Sequence, residues 1–461
     1  MAGIGFELRK YLDEDSFTGT FKAYGFSGLI SAGPWVLSIL GVMLIGIVAL
    51  SQKVGGQEVE QFTTSVTWIM GTSLILSGML QLVFTRYIAD RSFEGLQKLI
   101  NPNLFGAMLL TTLVSGLLGI AALMLFFTEQ SLSYKALMLS NFVTLNNVWI
   151  VVIFVAGLKK FKLILCAFLV GYGTTVCLSI LLIPYGINGL LSGLLTGHAV
   201  LLFTMLAVVL PDSPVTDTVR IDFVRRKQIF PVLIFVGLFY NLGIWIDKFL
   251  FWFHPSTSEA IIGPLRASLI YDLPIFLAYL SIIPGMAVFL LRIEADFAQA
   301  YEGFFNAVRG NASLQEVETL GNEMILAVRE GIFQIIKVQG ITVLILYMMG
   351  PKIVAWLGIS DKFIHLYYID LVGVAAQVLM LAVLNVLFYL DRLNDAFWLT
   401  LTLLVTNSVF SWMTLQMGPQ FYGYGFGLSM TFTAFVGIFL LSSELENIEF
   451  RTFMRPRDAA A

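Results

Sequence analysis

The chain has 461 residues, of which 58% are hydrophobic and 12% charged, and its formal net charge is −3. Soluble globular domains run about 45–50% apolar and about 25% charged, and a chain this apolar would aggregate in water through exposed patches. A soluble enzyme, a nucleic-acid binder and a disordered chain are excluded, and the apolar runs are too long and unbroken for the ~10-residue alternating strands of a β-barrel.

What remains is an all-α polytopic membrane protein. A spanning helix needs roughly 20 apolar residues, and a window of ~19 residues predicts twelve: 22–50, 62–88, 103–127, 134–157, 163–183, 187–210, 230–253, 266–292, 333–357, 364–390, 396–415 and 421–442. Ahead of the first, Ile4, Leu8, Tyr11 and Leu12 repeat at helical spacing, which suits a helix lying in the cytoplasmic interface. No small-residue cleavage site follows the first apolar run, so no cleaved signal peptide is expected.

The first span carries Gly33-Pro34-Trp35, where a membrane proline frees backbone carbonyls and makes Pro34 a hinge candidate. The fourth holds Asn141, Thr144, Asn146 and Asn147. The fifth holds Cys166 and Cys177; eleven residues of one helix separate them by about 16 Å, too far to bridge. The sixth places Asn188, Ser192 and Thr196 at i, i+4 and i+8. Such stripes either line a wet cavity or hold helices together.

The loop from Pro211 to Gln228 carries Arg220, Arg225, Arg226 and Lys227. It is expected to divide the chain into two six-helix lobes, 1–215 and 216–461. Six is even, so both lobes start on the same side, as in a parallel repeat about the membrane normal.

Ionisable residues inside a membrane are costly and are functional candidates by default. The seventh span offers Tyr240, Asn241, Asp247 and Lys248. Adjacent residues point ~100° apart, so Asp247 and Lys248 are not expected to meet face to face. Asp247 and Lys248 together are read either as a cation or proton site opening into a cavity or as part of an inter-helix ion pair that fixes packing, with Asp272 or Asp370 as the further carboxylate. The eighth span adds Tyr271, Tyr279 and two further hinge candidates, Pro274 and Pro284. The tenth places Asp370, Gln377 and, less closely, Asn385 on one face. Tyrosines 240, 271 and 279 are candidates for stacking on sugars in a cavity.

Between spans eight and nine, segment 294–330 is amphipathic. Phe297, Tyr301, Phe304, Phe305 and Val308 form one stripe, and Ser313 with Glu316 reads as a capping box. Two expectations stand: interfacial helices, or a docking platform whose anchors are Phe297, Tyr301, Phe304 and Phe305.

Lys and Arg favour the cytoplasmic side. They crowd the termini and even-numbered loops, whereas the odd-numbered loops hold only Lys53, Lys135, Lys352, Lys362 and Arg266 near a span end. Both termini are expected inside. Three scattered histidines form no ligand cluster, and no phosphate-binding loop appears. Enzyme chemistry is not expected, nor any cofactor or metal beyond a coupling cation, Na+ or H+.

Several blocks carry a resemblance. Gly3-Ile4-Gly5-Phe6-Glu7-Leu8-Arg9-Lys10, Ser31-Ala32-Gly33-Pro34-Trp35, Gly243-Ile244-Trp245-Ile246-Asp247-Lys248 and Tyr271-Asp272-Leu273-Pro274, continued by Ile283-Pro284-Gly285 and Arg292-Ile293-Glu294-Ala295-Asp296-Phe297, resemble the PelG family over essentially the full length. The resemblance implies the multidrug/oligosaccharidyl-lipid/polysaccharide exporter superfamily and two lobes in a bacterial inner membrane. It implies an N-acetylgalactosamine-rich polymer substrate. It also implies work beside a cytosolic PelF-like glycosyltransferase, a PelD-like partner that binds cyclic di-GMP, and a PelE-like partner. The rival expectations are a flippase for a lipid-linked oligosaccharide, a cation-coupled drug antiporter, and a non-transporting scaffold for a synthase.

Overall fold

The computed structural model describes residues 17–51, 56–157, 160–209, 219–225, 230–310, 312–356, 364–448, 450 and 452. The amphipathic segment around Ile4–Leu12 lies outside the described residues.

Among the described residues the fold is helical, apart from one two-stranded hairpin. In chain order the helices are α1 (Phe17–Ser51), α2 (Gly56–Phe93), α3 (Ile100–Phe126), α4 (Leu132–Gly157), α5 (Phe161–Leu181), α6 (Gly186–Val209) and α7 (Pro231–Phe253). The antiparallel hairpin β1 (Glu259–Ile262) and β2 (Leu265–Ala267) follows, then α8 (Leu269–Tyr279), α9 (Ile282–Leu291), a π-helical turn (Arg292–Phe297) and α10 (Ala298–Arg309). The chain continues through α11 (Leu314–Trp356), α12 (Ile364–Tyr389), α13 (Leu393–Met417) and α14 (Tyr424–Glu446).

Eleven helical stretches are long and apolar enough to cross a membrane, and α1, broken between Gly33 and Val36, makes a twelfth if its two halves count as one bent span. Apolar side chains such as Leu117, Met124, Phe203, Met348 and Phe439 stay exposed, as a lipid-facing surface requires. The two cysteines are free and exposed.

The eighth predicted span is two helices. Pro284 has no N–H to return to the Leu280 carbonyl, so it is accepted only in the opening turn of a new helix, where that donor would be unpaired anyway. The chain tightens there, with Ser281 N–H bonding Ala278 C=O at 2.9 Å, and α9 restarts at Ile282.

Two compact units form. The N-unit comprises Pro34–Trp245 and Phe251–Leu269; the C-unit comprises the residues up to Gly33, Ile246–Leu250, and the chain from Ile270 onward. This differs from the even division at 215/216. Close backbone packing explains the difference. A Cβ on Gly237 would collide with the Gly78 carbonyl, so glycine lets α7 lie directly on α2. A Cβ on Gly28 would stand 3.2 Å from Ile283 and 3.5 Å from Ala287, so the first half of α1 packs on α9.

Segment 294–330 is no loose interfacial pair. Phe297 and Phe304 are fully buried, and Val317, Met324 and Val328 of α11 are buried too. Phe297 and Tyr301 pack edge-on against Tyr389, with centroids 5.4 and 5.5 Å away. The apolar stripe therefore faces the C-unit itself. As docking anchors, Phe297 and Phe304 are spent inside, while Tyr301 and Phe305 are half-buried.

Candidate functional site

In the C-unit, Asp247 and Lys248 are both buried. The Lys248 ammonium lies 3.2 Å from Asp247 Oδ2. The expectation that neighbouring positions would not meet is corrected: the lysine's four-carbon stem swings its charge back around the helix. Tyr271 Oη donates to Asp247 Oδ2 at 2.6 Å, and Asn407 Nδ2 reaches Oδ1 at 3.4 Å. Ser411 Oγ fixes that amide by donating to Asn407 Oδ1 at 2.9 Å. Lys248 sits 5.3 Å from the ring centroids of both Tyr279 and Phe426, where the negative ring faces favour a cation. Tyr271 and Tyr279 are thus committed to this cluster and are not free platforms for sugar stacking.

Asp370 is fully buried, and neither carboxyl oxygen has a hydrogen-bond partner. It is attracted by Lys248 and repelled by Asp247. A Cβ on Gly423 would collide with Leu366 and come within 3.3 Å of Oδ1, so a glycine backbone packs beside this carboxyl. Asp272 stands half-buried in the first turn of α8.

Other predicted residues do not join the cluster. Asn241 belongs to the N-unit, bonds the Gly237 carbonyl at 2.9 Å and packs on Gly78. Tyr240 is half-buried in the same unit. Asn141 ties α4 to α6 through the Leu191 carbonyl at 3.1 Å, and Asn147 ties α4 to α3 through Thr112 Oγ1 at 2.9 Å. Ser192 and Thr196 turn their hydroxyls onto carbonyls four residues back in α6. Gln377 is buried in α12 with its amide oxygen unbonded. Pro274 is buried inside α8.

Sequence reading missed Asn407, which shows no charge and no obvious register with Asp247. It also missed Glu294 as a core residue. Glu294 is buried at the π-turn and takes bonds from Asn385 at 2.7 Å and Tyr389 at 3.4 Å. Among the described residues, no group of three or more His, Cys, Asp or Glu could hold a metal ion.

Comparisons with known proteins agree with this architecture. Among solved structures, an outward-facing MATE-family multidrug resistance transporter of the MOP superfamily superposes with a TM-score of 0.67, at 13% identity, covering 92% of this chain and 96% of that one. A MATE in a bent conformation gives 0.68 at 14% identity, with 98% and 99% covered. A MOP-superfamily transporter from Pyrococcus furiosus gives 0.64 at 13% identity, with 92% and 96% covered. At such identities the likeness establishes the fold alone. No curated relative matches the sequence. The PelG family, described as "Putative exopolysaccharide Exporter (EPS-E)", matches residues 1–453. The chain therefore belongs to the PelG family, and it is a multi-pass membrane transporter with the all-helical fold of the MOP superfamily.

Proposed function

We propose that this transporter moves a neutral, N-acetylgalactosamine-rich exopolysaccharide outward across a bacterial inner membrane, driven in part by a coupling cation, Na+ or H+. A cytosolic PelF-like glycosyltransferase supplies the polymer, and PelD-like and PelE-like partners accompany it, with cyclic di-GMP acting through the former.

One observation carries the reading: the balance of buried charge. Recognition of a lipid pyrophosphate calls for converging Arg or Lys side chains. Among the described residues Lys248 is the only buried Lys or Arg, and Asp247 already holds it. This supports a neutral substrate over a lipid-linked one. The same cluster sets two carboxyls, Asp247 and Asp370, against one ammonium. When both carboxyls are ionised, one positive charge is lacking, which supports a monovalent cation or a proton as the missing partner.

The test is reconstitution in vesicles with the glycosyltransferase, with and without an ion gradient. A short neutral oligosaccharide should be transported without any polyprenyl lipid, and faster with the gradient. An absolute need for the lipid carrier would instead favour the flippase. Normal export by an Asp370→Asn chain would remove the coupling site. Orientation follows the positive-inside count: Ser131→Cys should react with an impermeant thiol reagent from outside, and Asn311→Cys should not.

A further inference from the structure

The N-unit holds a second polar feature that the cluster around Asp247 does not use. A cavity of about 320 Å³ is lined by Gln61, Gln130, Ser131, Tyr134, Asn188 and isoleucines 187, 261 and 262, closed by the hairpin turn at Gly263. Three helix starts converge on it, those of α2, α4 and α6. The hairpin is pinned over it, because Trp68 Nε1 donates to the Arg266 carbonyl at 2.8 Å and the Arg266 guanidinium bonds Ser258. Gly263 makes the tight turn at φ 54°, a backbone region that favours glycine. Tyr134 is buried, and its hydroxyl is held 2.8 Å from Ser65.

The lining carries no charged side chain. The Asn188 amide oxygen is buried without a partner. The side-chain amides of Gln61 and Gln130 make no hydrogen bond among the described residues. The Gln61 and Gln130 amides offer both donors and an acceptor, which complements hydroxyl groups that are also both. The three isoleucines supply an apolar wall for the C–H face of a ring. The volume lies at the lower end of small-ligand sites, about 300–1,000 Å³, which suits one ring rather than an extended chain. The larger recess of this unit, about 470 Å³, is different. It is walled by Trp68, Leu118, Phe126, Phe142 and Phe253, and suits lipid.

We propose that this cavity is a subsite for one neutral pyranose unit of the exported polysaccharide. The inference rests on the neutral-polymer reading above. Its four contributing segments are the start of α2, the α3–α4 turn, the start of α6 and the hairpin after α7. All four adjoin odd-numbered loops, so the positive-inside orientation puts the subsite on the outer side. There it holds a sugar of the emerging chain and hinders its return.

The test uses the full-length chain in lipid nanodiscs and saturation-transfer NMR with free tri-N-acetylchitotriose. The wild-type chain should bind it. Asn188→Leu and Gln130→Leu should each weaken binding at least tenfold with an unchanged melting temperature, and Phe203→Ala, on the lipid-facing side, should bind normally. Tri-galacturonic acid, which is charged, should not bind. Absent wild-type binding, unchanged binding in both leucine variants, or equal binding of the charged trisaccharide would overturn the subsite. If export persists at the same time, the exporter reading stands and only the subsite fails. Gln130→Leu, in a half-buried turn, keeps the test valid should Asn188→Leu not fold.

Discussion

The buried polar groups of the two units differ in where charge sits. In the N-unit they are mostly amides and hydroxyls tied to nearby carbonyls or across a helix seam, as with Asn141, Asn147 and Ser192. The densest example fastens a loop: Asn103 donates to Tyr87 at 2.8 Å and to Asp222 at 3.2 Å, and accepts the Asp222 N–H at 2.7 Å. The C-unit has such neutral groups too, Gln339 and Thr400 among them, but adds a fully enclosed ionic group built from Asp247, Lys248 and Asp370. Neutral pairs hold helices together at little cost, whereas buried charges are expensive and rarely improve stability over apolar packing. The comparison separates polar groups that fasten helices and loops from a buried ionic group that packing alone does not require.

Five substitutions break or sharpen this contrast. The largest effect is expected for Asp247→Asn, which strands the Lys248 ammonium; removing one partner of a buried pair costs about 3–5 kcal/mol, so both stability and export should fall. Adding Lys248→Met should restore the melting temperature without restoring export, and recovery of export would reassign the pair to structure. Asp370→Asn should cut export at least tenfold while stability stays within roughly 1 kcal/mol, because this carboxyl has no bond to lose; a vesicle transport assay beside a thermal melt separates the two. Asn103→Ala should leave the Asp222 N–H and the Tyr87 hydroxyl without their partner, while the Asp222 carboxylate keeps Arg225, and cost about 1–3 kcal/mol, read as faster proteolysis at Arg220 and Arg225 with transport retained in the surviving fraction. The smallest effect is expected for Thr196→Val. Its hydroxyl bonds only its own helix, so stability should move by about 0.5 kcal/mol or less, and a transport defect would show that α6 lines a path.

The all-helical, many-span architecture was legible because long apolar runs have few alternatives in a membrane. Asp247, Lys248, Tyr271, Tyr279 and Asp370 were legible one by one for the same reason: polar groups stand out against apolar neighbours. Their assembly was not, since α7, α8 and α12 to α14 are far apart in the chain and periodicity within one helix says nothing of its neighbours. The fate of Phe297 and Phe304 was hidden for a related reason. An amphipathic stripe has the same pattern whether it faces lipid, a partner or its own protein. The shift of the unit boundary away from 215/216 rests on glycines 28, 78 and 237, whose close contacts leave no hydrophobic signature.

Helix α11 runs for 43 residues, or about 65 Å at 1.5 Å per residue. The hydrocarbon layer takes up only ~30 Å, so about 35 Å of the helix extends beyond it, with Val317, Met324 and Val328 of that stretch packed into the C-unit. Such a rod acts as a pointer. A tilt of about 10° within the bilayer would swing the far end sideways by about 6 Å and carry along the π-turn and α10 that pack against it. Crowding or tethering that end would in turn resist the tilt, so motion in the membrane and events at the water-exposed tip are geared together by length alone.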